Sequence, residues 1–232
     1  MSKPQLFCYT YAGGAKAFFD EIEKDLTGID LFSFDYAGHG ERHKEPFYDA
    51  FGELADDMFR EVKDRLYNEY ALFGYSMGSI TTVEVLKRII VADLPLPSHV
   101  FICAHEPHTK SELLGFTPDE LDEWVKERTI RFGDVPERLI NNRVFWRTYL
   151  PIYRADYTII GKYKFEELDL CTSVPLTVFY SETDTPLNNM KLWEKYFTGY
   201  VEYNKYDGNH FFIRKHYAEM AQIIKDRLGA KV

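Results

Sequence analysis

Gly74-Tyr75-Ser76-Met77-Gly78 lies between the apolar run Tyr70-Ala71-Leu72-Phe73 and a stretch in which Ile80, Val83, Leu86, Ile89 and Ile90 recur at helical spacing. This G-x-S-x-G pentapeptide therefore sits where a buried strand would turn sharply into a helix. A serine hydroxyl is a poor nucleophile until the backbone presents it clear of neighbouring side chains. A turn that tight leaves no room for a Cβ two residues before and after the serine. The expectation is a nucleophile elbow carrying Ser76. The plainer alternative is a tight glycine turn with an uninvolved serine.

Outward from this point, short β-rich runs alternate with helical patterns. Leu6-Phe7-Cys8-Tyr9, Leu31-Phe32-Ser33-Phe34, Val100-Phe101-Ile102-Cys103 and Leu176-Thr177-Val178-Phe179-Tyr180 read as strands, with another near Val201. Between them, Phe18, Phe19, Ile22 and Leu26 mark one helix, and Phe51, Leu54, Ala55, Met58, Phe59, Val62 and Leu66 line one face of another. A helix through Met190, Trp193 and Phe197 and a closing helix with Met220, Ile223, Ile224 and Leu228 complete the pattern. Such alternation predicts an α/β fold with a mostly parallel sheet covered on both faces. Residues 108–170 break the rhythm. Thr117-Pro118-Asp119-Glu120 has the form of a helix start, and a second helical stretch is expected over 137–149. The predicted organisation is a core of residues 1–107 and 171–232, with 108–170 inserted as a helical lid.

The 232 residues suffice for one compact domain with a sizeable core. A net charge of −9 without a basic stripe argues against nucleic acid as a partner. Residues 108–165 hold ten Lys/Arg against nine Asp/Glu, so the acidity lies elsewhere in the chain. That balance suits either a solvated helical surface or a surface meeting an acidic partner. Cys8, Cys103 and Cys171 form no metal-ligand spacing, so reduced thiols and no metal are expected. No stretch reaches the roughly 18 apolar residues of a membrane helix, and the first five residues lack signal-peptide character. A cytoplasmic protein without membrane contact is the expectation.

If Ser76 is a nucleophile, a base, an orienting acid and oxyanion donors must accompany it. On this architecture the chain order is serine, acid, histidine, which leaves His99, His105, His108, His210 and His216 as bases. His210 is favoured because Asp207-Gly208-Asn209-His210 follows the last strand, at the sheet edge where open α/β folds place their sites. His105 and His108 follow another strand and are candidates for the pocket wall. Asp184 follows the strand Leu176–Tyr180 and is the preferred acid, with Glu182 and Asp207 as alternatives. Oxyanion donors should be backbone amides: that of Met77 at the start of the next helix, and one in Tyr11-Ala12-Gly13-Gly14, at Ala12 or Tyr11.

Several motifs in register extend the case across roughly residues 6–228. They are Tyr11-Ala12-Gly13-Gly14, Gly38-His39-Gly40-Glu41-Arg42, Gly74-Tyr75-Ser76-Met77-Gly78-Ser79, Pro107-His108, Arg154-Ala155-Asp156-Tyr157 and Gly208-Asn209-His210-Phe211-Phe212. Together they resemble the type II (external, editing) thioesterases of nonribosomal peptide and polyketide synthesis, within the α/β-hydrolase superfamily. The resemblance implies Ser76, Asp184 and His210 as a triad and the Ala12 and Met77 amides as the oxyanion hole. Tyr11, Tyr75 and His108 are then expected at the substrate. The implied substrate is an acyl group on the 4′-phosphopantetheine arm of an acyl or peptidyl carrier protein, with no cofactor of the enzyme's own. Departures from the family pattern are Tyr75 for histidine, Thr10 and Ala37 for prolines, Asn209 for glycine, and Ser181-Glu182 without the glycine before the acid. Rival readings are an esterase or peptidase acting on small free substrates, and a ligand-binding protein that keeps the fold without catalysis.

Overall fold

A computed structural model describes residues 3–66, 69–133 and 135–229. Six strands form one wholly parallel sheet in the order β2-β1-β3-β4-β5-β6: β1 is Gln5–Tyr9, β2 Asp30–Ser33, β3 Tyr70–Tyr75, β4 His99–Cys103, β5 Leu176–Tyr180 and β6 Val201–Lys205. The register sets Cys8 beside Phe73 and Tyr75 beside Cys103, so the C-terminal ends of β1, β3 and β4 come level.

The central strands are buried on both faces, and their side chains alternate between two cores as the pleat requires. Phe7, Tyr9, Leu72, Val100, Ile102 and Val178 enter one core, against α2 (Phe51–Val62) and α3 (Met77–Val91). Leu6, Cys8, Phe73, Tyr75, Phe101 and Phe179 enter the other, against α1 (Asp20–Glu23) and α7 (Ile213–Arg227). Burying each such side chain contributes about 1.5–3 kcal/mol, which ties the strand ends rigidly to both helical layers.

Two expected helices are shorter than their apolar spacing suggested. The first is a 3-10 turn, Lys16–Phe19, running into the four residues of α1, and α6 (Leu187–Met190) gives way to a second 3-10 turn, Lys191–Lys195. Among the described residues, the connection from β4 to β5 is helical. It holds α4 (Pro118–Phe132), started by a Thr117/Glu120 capping box and ended by Gly133 in the left-handed conformation. It also holds α5 (Arg143–Lys162), which begins at an Asn142 cap and runs through Pro151 well beyond the stretch predicted over 137–149. Its second half is held by packing: Ile159 and Ile160, with Phe165, Leu168 and Leu170 after it, belong to the principal core. The inserted segment is thus continuous with the sheet domain along the second half of α5, while α4 stands over the strand ends beside Ser76 and His210.

Candidate active site

Ser76 is the single residue between β3 and α3, with φ +53° and ψ −118°. A non-glycine residue held there stores about 1–3 kcal/mol of strain, maintained by its surroundings. A Cβ on Gly74 would come within 2.3 Å of the Gly78 carbonyl oxygen, and one on Gly78 within 2.0 Å of the Tyr9 carbonyl oxygen. Glycine is therefore obligatory at both flanks, as the sequence predicted. The Ser76 amide donates to the Cys103 carbonyl at 2.8 Å, and the Ser79 hydroxyl lies 3.0 Å from the Gly74 carbonyl and 3.1 Å from that of Cys103. These contacts brace the turn against β4.

His210 projects from the loop between β6 and α7, and Asp184 from the loop after β5. The His210 Nδ1 lies 2.8 Å from Asp184 Oδ2, and its Nε2 lies 2.9 Å from Ser76 Oγ. A carboxylate only accepts, so Nδ1 carries the hydrogen and Nε2 is left to accept from the serine hydroxyl. The two loops are stapled together: the Ser181 and Thr183 hydroxyls each donate to the Gly208 carbonyl at 2.6 Å. The other candidate acids are elsewhere. Glu182 is exposed, and Asp207 pairs with His216 at 3.0 Å. Of the other candidate bases, His99 contacts the Thr177 hydroxyl at 2.8 Å and His216 is the partner of Asp207.

Ser76, Asp184 and His210 open onto a cavity of about 440 Å³ beneath α4 and α5, with Ala12, His105 and Phe132 on its wall. Lys110, Arg128 and Arg131 also line it, and Glu106 on the same wall pairs with Lys110 at 3.2 Å. His105 is pushed down to about 3 by burial, with Lys110 and His210 adding to the effect, so it stands neutral in the wall. Ala12 and Tyr11 both line a narrow cleft beside the cavity, together with Ser76, Tyr153 and Phe211. Met77 is the first residue of α3, where helix amides have no intrahelical partner, and its side chain is buried.

Two expected wall residues are placed differently. Tyr75 is fully buried and faces the α1/α7 core, where its hydroxyl donates to the His210 carbonyl. The strand pleat explains this: Tyr75 shares a face with Phe73, two residues earlier. It supports the histidine loop from behind and does not line the cavity. His108 is exposed, and His105 takes the wall position instead.

Sequence reading did not find Phe132, whose ring stacks on His210, nor the buried pair His39–Asp156 at 2.9 Å. His39 Nδ1 faces the Ala37 carbonyl at 3.0 Å while Nε2 faces Asp156. Both partners accept only, so both ring nitrogens donate and His39 is an imidazolium. Burial works to lower its pKa, but the charge and hydrogen bond of Asp156, with the Ala37 carbonyl, outweigh it and hold the group above the ordinary histidine value.

A serine hydrogen-bonded to an imidazole that is oriented by a carboxylate is an arrangement suited to acyl transfer. Known proteins agree with that chemistry. The thioesterase domain family matches residues 4–228. The medium-chain S-acyl fatty acid synthase thioesterase of Rattus norvegicus is 26% identical over 219 residues, covering 91% of this chain and 82% of that protein. The gramicidin S biosynthesis protein GrsT of Aneurinibacillus migulanus is 24% identical over 233 residues, covering 98% and 90%. Among solved structures, ClbQ from the colibactin NRPS/PKS pathway superposes with a TM-score of 0.87 at 22% identity, covering 98% of both chains. The chain belongs to the thioesterase domain family, hydrolases of acyl thioesters, and has its α/β-hydrolase fold.

Proposed function

We propose that this chain hydrolyses acyl thioesters borne on the 4′-phosphopantetheine arm of carrier proteins, clearing stalled or wrong acyl units, with Ser76 as nucleophile, His210 as base and Asp184 as its orienting acid. The observation that carries the reading is the continuous chain from Asp184 through His210 to Ser76, 2.8 and 2.9 Å, at the floor of the cavity. His210 Nε2 takes the Ser76 proton as Oγ attacks the thioester carbonyl, and the Ala12 and Met77 amides receive the developing oxyanion. The C–S bond then breaks, and the departing sulfur takes the proton from His210. Water deprotonated by His210 next attacks the acyl-serine, which releases the carboxylic acid and returns the proton to Ser76.

Support for a carrier-borne substrate comes from the company the chain keeps, since its relatives bear the names of gramicidin S biosynthesis, fatty acid synthase and a colibactin NRPS/PKS pathway. The first turns of α5 offer a docking face. Arg143 and Arg147 are exposed there, without a carboxylate partner among the described residues, beside Val144 at 61% and Tyr149 at 41% exposure.

Intact-protein mass spectrometry of a panel of acylated carriers tests the proposal. The wild-type protein should return them to the free-thiol form with release of the acid, and Ser76→Ala should leave them acylated while keeping its fold. Near-normal turnover by Ser76→Ala would remove the serine from the mechanism. Turnover of small carboxylic esters but of no carrier thioester would favour the small-substrate reading.

A further inference from the structure

The proposed chemistry makes no use of the pair His39–Asp156, yet both side chains are almost wholly buried, 2% and 3% exposed. Removing two charges from water is costly, and replacing such a pair by apolar side chains is often neutral or stabilising, so stability alone gives no reason for it. Its location suggests another role. Asp156 lies on α5, in the segment inserted between β4 and β5, and His39 lies in the loop after β2. Asp156 Oδ2 accepts from His39 Nε2 at 2.9 Å and, with the same atom, from the Gly13 amide at 2.6 Å.

Gly13 directly follows Ala12, whose amide the proposed mechanism uses. It has φ +81°, and a Cβ there would come within 2.1 Å of the Tyr153 ring. Tyr153 and Asp156 are three residues apart on α5, so they lie on one helix face. That face thus meets the same glycine twice, as an aromatic wall against its α-carbon and as an acceptor for its amide. The far end of the loop is pinned separately: the Lys16 amide donates to Asp35 Oδ1 at 2.7 Å, and Asp35 Oδ2 accepts from the Glu41 amide at 2.9 Å.

We infer that Asp156, charge-compensated by His39, is a positioning residue for the oxyanion donor: it fixes the Gly13 peptide from α5 and so aims the neighbouring Ala12 amide at the reacting carbonyl. The inserted helices then do more than cover the cavity. Their seating on the sheet domain sets the geometry of one of the two donors, so a displaced α5 leaves the triad intact and the oxyanion site incomplete. This inference rests on the proposed role of the Ala12 amide.

The test compares Asp156→Ala and Asp156→Asn with wild type, using a small acyl thioester as substrate and an alkylthio trifluoromethyl ketone as inhibitor. Ser76 would add to that ketone through a new C–O bond, its proton passing to His210, and the hemiketal oxyanion would occupy the place of the thioester oxyanion. Misplacing one donor should lower kcat by about 30- to 100-fold and raise the inhibitor's Ki comparably, with KM changed less than about threefold. Asp156→Asn keeps an oxygen that can accept from Gly13 and should recover most of the loss. A kcat within threefold of wild type in Asp156→Ala, parallel rises in Ki and KM, or no recovery in Asp156→Asn would each overturn the inference. If Asp156→Ala does not fold, hydrogen exchange at the Gly13 amide of the wild-type protein decides, since exchange at the rate of a free amide would overturn it. Failure of the underlying functional reading is distinguishable, because the wild-type protein itself would then neither turn over the thioester nor bind the ketone.

Discussion

The Phe132 ring lies flat on the imidazole of His210, with centroids 4.2 Å apart and 16° between the planes. Phe132 ends α4, so the inserted segment reaches the proposed base directly. The ring blocks one face of the imidazole from water and favours the charge that His210 would gain as Ser76 loses its proton. Arg128, one turn back on the same helix, lies 4.4 Å from the Phe132 centroid and packs the ring in place.

Phe132→Ala should therefore lower kcat on a small acyl thioester about tenfold, with Phe132→Tyr close to wild type and Phe132→Leu between them. Steady-state kinetics of the three variants check this. Equal rates for Ala and Phe at this position would show that the stacking does not bear on turnover.

Asp184→Asn is the sharpest test of the proposed orienting acid. An amide cannot hold the His210 tautomer and supports no imidazolium, and the expected loss in kcat is about 10⁴-fold with KM little changed. Glu182→Gln and Asp207→Asn should stay within about threefold of wild type, because Glu182 is exposed and Asp207 contacts His216. A larger loss in either than in Asp184→Asn would transfer the role.

What could be read from the sequence follows from how local each signal is. The elbow is contained in five residues, because the clash that demands Gly74 and Gly78 arises within the turn and with the adjoining strand end. That Asp184 and His210 lie beside Ser76 was legible because each follows a strand, and parallel strands deliver their C-terminal loops to one edge. The orientation of Tyr75 was also latent in the period of two, since Phe73 and Tyr75 must share a face, but its place beside Ser76 suggested the pocket instead. Phe132 had no such signal, and Asp156 had only its place in the Arg154-Ala155-Asp156-Tyr157 motif, which does not name its partner. Phe132 reads as one more apolar residue at a helix end, and Asp156 meets Gly13 across 143 positions of the chain. Only the packing of α4 and α5 on the sheet domain brings them to the site.

Acid should destabilise the protein through two histidines that have no catalytic part in the proposal. Burial pushes His105 down to about 3 and His99 down to about 4. The folded state leaves both neutral at pH values where the unfolded chain, near 6.5, binds two protons. Depressed histidines therefore cost stability as pH falls below about 6.5, each with a limiting slope of about 1.4 kcal/mol per pH unit until its folded pKa is reached. Denaturant unfolding at pH 7, 6, 5 and 4.5 should show that slope halved in His99→Gln. An unchanged slope in that variant would mean that His99 titrates normally in the folded protein.

His39 works in the opposite direction. Its folded pKa is raised, with Asp156 from α5 and Asp35 and Tyr36 from its own loop around it, so its contribution is complete below about 6.5 and lost as pH climbs through the folded value. His39→Gln leaves Asp156 without its cation and should cost about 3 kcal/mol near pH 6. The gap between wild type and variant should then narrow as pH climbs above about 6.5 into the alkaline range. A gap constant over that range would contradict the imidazolium assignment.

Arg143 and Arg147 lie in the first turns of α5, away from the residues that line the cavity, so neither is expected to touch the acyl group. Their reversal to glutamate removes attraction for an acidic partner and adds repulsion, which acts first on the association rate and fades with salt. Arg143→Glu and Arg147→Glu should each lower kcat/KM for carrier-bound acyl groups about tenfold at low ionic strength, and much less at 0.5 M salt. Their kcat/KM for a small acyl thioester should stay within about twofold of wild type. Equal losses on both substrates would place the fault in the cavity and not at a docking face. A carrier-specific loss that ignores salt would mean that shape, and not charge, governs the encounter on α5.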